Sequence, residues 1–180
     1  MGDSLPFFPA VSNPKSKKWT EKMSERTKGR ELALRILYGQ DFSASDEKPF
    51  DRQVNWWNPD DRFHAGKAVQ PFGLRIAKDV TANRESIDAA IISIIEHWAM
   101  NRLTPVDRNL LRIGVYEIFH RPDIPPPVTI NELIELGKVY GDENSGTFIN
   151  GVLDALLKQE SAQPEGSEPE TVNGECAELG

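Results

Sequence analysis

Arg26, Lys28, Arg30 and Arg35 fall within ten residues of one another in the stretch RTKGRELALRILYGQD (26–41). Guanidinium and ammonium groups at that density attract phosphate oxygens, and binding built on them weakens with salt. The rest of the chain has the opposite sign. The 180 residues carry a formal net charge of −7, yet residues 15–35 hold eight Lys and Arg against three Glu. Residues 160–180 hold six Glu and no cation. A basic arm ahead of an acidic tail points to a polyanionic partner more than to a small substrate. Reading single-stranded RNA also needs an aromatic or polar group beside the cations, to stack on and hydrogen-bond to bases. Phe148, which follows the turn DENSGT, is a candidate, and equally a core residue of its own helix.

Other chemistries find no footing. The chain has no GxxxxGK[ST] phosphate loop and no GxGxxG, HExxH or GxSxG segment. GDENSG (141–146) starts like a calcium loop at Asp142, but Gly146 stands at its fifth position and Leu153 at its twelfth, where a bidentate Glu is required. Asp60 and Asp61 sit in a polar stretch where nothing would raise a carboxyl pKa. His64, His97 and His120 have no shared helical face, and the single cysteine, Cys176, lies in the tail. The expectation is a non-enzyme with no catalytic residue, cofactor or metal. The most apolar stretch, AAIISII (89–95), is far short of the roughly 20 residues that cross a bilayer, and the N-terminus has no signal pattern. A cytoplasmic protein with no membrane contact is expected.

The elements that must position these groups read as helices. Residues 1–23, rich in Pro, Ser and Lys, are expected to be a mobile basic arm. A first helix begins near Ser24, with Leu32, Ala33, Ile36 and Leu37 as its buried stripe. On a helical wheel Arg26 and Arg30 line one edge of that stripe, while Lys28 and Arg35 point away. Residues 43–75 read as a long loop or insertion, with Trp56 and Trp57 as anchors. Ile87, Ile91, Ile94, Ile95 and Trp98 then mark an amphipathic helix. Thr104 and Pro105 open a nearly all-apolar helix that Pro122 ends. Thr129 and Glu132 have the spacing of a capping box for the next, with Gly141 placed as a left-handed cap. The last helix presents Phe148, Ile149, Val152, Leu153, Leu156 and Leu157, and residues 159–180 form a disordered acidic tail. The spacing predicts an all-α compact bundle of about six or seven helices within one domain, 24–158. Residue types are compatible with a monomer or a homodimer.

Several segments together resemble the NusB family of transcription antitermination factors. They are R-E-x-A-x-x-x-L-Y (30–38), D-R-x-L-L-R-I-x-x-Y-E (107–117), I-N-E-x-I-E-L-x-K (130–138), and F-I-N-G-V-L-D (148–154). The resemblance covers 24–42 and about 75–158, and is poor across 43–75. It implies two packed three-helix-like subdomains that bind the boxA element of ribosomal-RNA leader transcripts together with the ribosomal protein NusE. The pair would join RNA polymerase with other Nus factors. Carried over, the RNA contacts fall on Arg26, Lys28, Arg30, Asn144 and Phe148, and the NusE-facing surface on Tyr38 and Asp107. Thr27 stands where the family often has another Arg, and Asn144 where an Asp is common. Asp107 also suits a helix-capping role of its own. Two alternatives remain at this level: an RNA-binding domain of the kind fused to RNA cytosine methyltransferases, and a helical protein-binding adaptor that never touches RNA.

Overall fold

The computed structural model describes residues 23–42, 69–95 and 100–162, and every regular element among them is helical. In chain order these are α1 (Glu25–Asp41), α2 (Val69–Ala82), α3 (Arg84–Ile94), a single 3₁₀ turn (Met100–Arg102), α4 (Pro105–His120), α5 (Pro126–Tyr140) and α6 (Ser145–Ala162). The basic arm, Trp56, Trp57, Trp98, His64, His97 and Cys176 lie outside the described residues. No helix among the described residues is long and apolar enough to cross a membrane.

The first and fourth helices start where their side chains dictate. Ser24 Oγ accepts from the Thr27 amide at 3.1 Å, and Thr104 Oγ1 accepts from the Asp107 amide at 3.1 Å with Pro105 next in line. Each hydroxyl satisfies an amide that would otherwise lack a partner inside the helix. α4 is central. It touches all five other helices, and the closest pairings outside it are α1 with α2 and α5 with α6. Its Leu110, Leu111 and Ile113 are fully buried, as are Leu32, Ile36 and Leu37 of α1 and Leu133 and Leu136 of α5.

Four expectations are corrected. Residues 69–75 are not loop, because Val69, Gly73, Ile76, Ala77 and Val80 form a buried stripe at helical spacing. Pro71 sits in the first turn, where its missing amide leaves no bond unmade. Gly73, within the segment read as loop, is a crossing point. A Cβ there would lie 2.5 Å from the Gly29 carbonyl oxygen, so α1 and α2 meet backbone to backbone. α5 begins at Pro126, one turn before Thr129, so Thr129 is a buried helical residue and not a cap. Gly141 is extended (φ −89°, ψ −166°), and its lack of a side chain matters through space: a Cβ would collide with Ser145 Oγ. Finally, α6 runs on to Ala162, through the first residues assigned to the acidic tail.

Two polar clusters fasten the bundle internally. Arg112 of α4 binds Asp88 of α3 through Nε at 2.7 Å and Nη2 at 2.7 Å, and its Nη1 reaches Asp41 at the end of α1 at 3.2 Å. Burial opposes ionisation of Asp41, but Arg108, Asn109 and Arg112 outweigh it and hold the carboxyl below its usual value. The second cluster bears directly on function.

Candidate nucleic-acid interface

The four cations of the opening stretch have four different fates. Arg26 is open to solvent, with its side chain 58% exposed. Lys28 is partly exposed and enters no ion pair among the described residues. Arg35 is half-buried against Glu31 at 2.8 Å, with its guanidinium 5.6 Å from the Tyr140 ring centre.

Arg30 is sealed inside the protein, 1% exposed. Its Nε donates to Glu117 Oε1 at 2.9 Å and its Nη2 to Glu117 Oε2 at 2.8 Å. Thr129 donates to the same carboxylate at 2.7 Å, and Glu132 stands 3.6 Å from Arg30 Nη1 while accepting from Thr27. Arg30 therefore does not present its charge to a phosphate. The assignment of Arg30 to RNA contact is corrected to a buried tie between α1, α4 and α5. A charge taken from water must keep a charged, hydrogen-bonded partner, and Glu117 is that partner.

The middle of α1 and the end of α5, just before the turn that opens α6, are in contact. Lys28, Glu31 and Arg35 follow each other at i, i+3, i+7 on α1, which puts them on one strip. The Tyr140 hydroxyl at the end of α5 donates to Glu31. Burial first, and then the charge of Glu31, push that hydroxyl well above its usual pKa, so it stays a donor. The chain leaving Tyr140 forms the turn that carries Asn144. Its Asp142 amide donates to Ser145 Oγ at 2.9 Å, and the Asn144 amide to Asp142 Oδ1 at 2.9 Å. Asn144 is exposed, and its carbonyl accepts from the Phe148 amide at 3.0 Å as α6 begins. Phe148 is half-buried, with one side against the core. Asp142 and Glu143, both exposed on the same turn, lower the local positive potential.

Arg26 points elsewhere. Its guanidinium is 6.0 Å from the ring centre of Phe72 on α2, where Arg121, just past α4, also sits at 5.6 Å. Sequence reasoning missed both Phe72 and Arg121: the first lay in the segment read as loop, and the second after a helix end. The helical wheel held the clue, since it put Arg26 and Lys28 on different sides of α1.

At the opposite end of α1 the elements that carry the two partner-facing candidates meet. Asp41 binds Arg108 Nη2 and Asn109 Nδ2, each at 2.8 Å, which joins the end of α1 to the start of α4. Tyr38 is half-buried there, its ring 4.9 Å from that of Phe42, which is 51% exposed. Asp107 is only 6% exposed, and its Oδ1 is buried with no hydrogen-bond partner among the described residues. Among the same residues, no group of three or more His, Cys, Asp or Glu could hold a metal ion.

Comparison with known proteins places this geometry. The model of the NusB family matches residues 27–158. The transcription antitermination protein NusB of Desulfosudis oleivorans is 39% identical over 153 residues, 84% of this chain and 96% of that protein. The NusB of Geobacter sulfurreducens is 39% identical over 134 residues, 74% of this chain and 94% of that one. Among solved structures, T. maritima NusB superposes with a TM-score of 0.65 at 36% identity, over 74% of this chain and 91% of that one. A crystal structure of the antitermination factors NusB and NusE in complex with dsRNA gives a TM-score of 0.61 at 30% identity, over 76% and 98%. On the family match, the close relatives and the shared fold, this chain belongs to the NusB family.

Proposed function

We propose that this chain is a cytoplasmic transcription antitermination factor that binds boxA-type single-stranded RNA of ribosomal-RNA leader transcripts. It does so with the ribosomal protein NusE, and the pair supports processive transcription within an RNA polymerase complex containing other Nus factors. The observation that carries this reading is the Tyr140–Glu31 hydrogen bond, which ties the end of α5, next to the turn bearing Asn144 and Phe148, to α1, where Lys28 lies one turn before Glu31. It sets a cation for phosphates and an aromatic for bases on adjoining elements. The relative solved with NusE and dsRNA supports NusE and RNA as the classes of partner.

The electrostatics explain why a partner is needed. With Arg30 neutralised internally, the open cations at the start of α1 are Lys28 and, on the Phe72 side, Arg26, and Asp123, Asp142 and Glu143 offset part of their field. Two phosphate contacts give weak, sequence-blind binding. NusE extends the surface, docking at the end of the bundle that carries Tyr38, Phe42 and the edge of Asp107. Aromatic area of that kind is what protein interfaces bury.

Titrating a boxA-type strand and a scrambled strand of equal length, with and without NusE, tests the reading. The expected result is weak binding of both strands alone and a sequence-selective gain when NusE is added. Absence of RNA binding under both conditions overturns it, and leaves the helical adaptor.

A further inference from the structure

The three guanidiniums that surround Phe72 suggest that the RNA path is longer than α1 and the α5–α6 turn. Arg26, Arg30 and Arg121 stand 6.0, 5.7 and 5.6 Å from the centre of that ring. Arg30 is paired internally, whereas Arg26 and Arg121 share the single carboxylate of Asp123, at 4.0 and 2.9 Å. One turn further along α2, Arg75 is 68% exposed and only 3.6 Å from Asp79, which also accepts from the Tyr116 hydroxyl. Lys78 is exposed and enters no ion pair among the described residues. At the end of α4, the exposed His120 ring stacks on Tyr116 at 5.6 Å. Arg26 and Arg121 thus flank a half-buried phenylalanine, Arg75 and Lys78 follow along α2, and Asp79 and Asp123 are the carboxylates paired with them, in a chain that is acidic overall.

We propose that this face, built from Arg26, Phe72, Arg75, Lys78 and Arg121, is a second contact for single-stranded RNA that extends the path beyond α1. The inference rests on the reading that the chain binds such RNA. Arg26 lies two residues before Lys28 at the start of α1 but on the Phe72 side, so a strand leaving Lys28 would cross the start of α1 to reach the α2 face. Single strands are held by cations that follow the backbone and aromatic groups that touch bases, and both are present here. Asp123 acts as a placeholder: it occupies two guanidiniums that a phosphate would otherwise engage.

The test uses the full chain with NusE and two RNAs, a boxA-type strand and the same strand extended by several nucleotides at each end. Arg75→Ala/Lys78→Ala removes two exposed charges outside the core. With the extended strand, the slope of log affinity against log salt should fall by about 1.4, from roughly 0.7 per lost contact on single strands. The short strand should be unaffected. Asp123→Asn should strengthen binding of the extended strand severalfold. If the slope with the extended strand stays at the wild-type value while Arg26→Ala/Lys28→Ala still lowers it, the inference falls and the proposed function stands. If the variant changes NusE affinity and leaves the RNA slope untouched, the face docks protein and the inference falls again. If the wild-type protein binds neither strand, both fall together.

Discussion

Glu117→Ala is expected to lower the unfolding free energy by about 3–5 kcal/mol, the usual cost of leaving a buried charge without its partner. Glu117 is 0% exposed and, among the described residues, is the only group that neutralises Arg30 through two parallel hydrogen bonds; Glu132 is further off and also occupied with Thr27. Thr129 would lose its acceptor as well. For a domain whose whole stability is about 5–15 kcal/mol, such a loss approaches global unfolding. Arg30→Ala should cost about as much, because it strands the carboxylate instead. The double replacement Arg30→Met/Glu117→Leu should cost less than either single change, since no buried charge is left behind. Urea denaturation of the four proteins measures all three effects. If Arg30→Ala left the denaturation midpoint unchanged but weakened RNA binding, the internal role assigned to Arg30 would be wrong.

The second large effect is expected at Phe148. Phe148→Leu keeps an apolar side chain of similar volume against the core, a change that usually costs less than about 1.5 kcal/mol in stability. It removes the flat ring on which a base can stack, worth about 1–3 kcal/mol per base, or roughly 5- to 150-fold in affinity. The salt slope should not move, because no charge is lost. Affinity and slope for a boxA-type strand, measured in the presence of NusE, separate these effects. Unchanged affinity would make Phe148 a packing residue and nothing more.

What the sequence disclosed, and what it hid, follows the range of the interactions. Ser24 and Thr104 were legible as helix starts because a cap is decided within three residues. The apolar stripes of α1, α4 and α6 were legible for the same reason. The Arg30–Glu117 pair spans 87 positions, so spacing alone could not reveal it. A hint was present nonetheless. Glu117 stands in a helix with almost no polar face, and a carboxylate there demands a buried cation from elsewhere. The start of α2 was hidden in a stretch with no clear period, where Pro71 serves as a first-turn proline and Gly73 as a helix crossing. Thr129 and Glu132 match a capping box locally, but Pro126 starts the helix earlier and frees both side chains to bind α1 and α4. Of the candidate RNA contacts, Lys28 and Phe148 are partly exposed and Asn144 is exposed, as such a role requires. The site was misread at Arg30, because a wheel shows the edge of a stripe without showing what covers it.

The most direct measurement is the salt dependence of RNA binding by Arg26→Ala/Lys28→Ala, with NusE present and folding verified by circular dichroism. The expected result is a slope of log affinity against log salt lower by about 1.4 than that of the wild-type protein, two contacts at roughly 0.7 each. A variant whose line runs parallel to the wild-type line and at the same affinity would show that the front edge of α1 does not touch the RNA backbone.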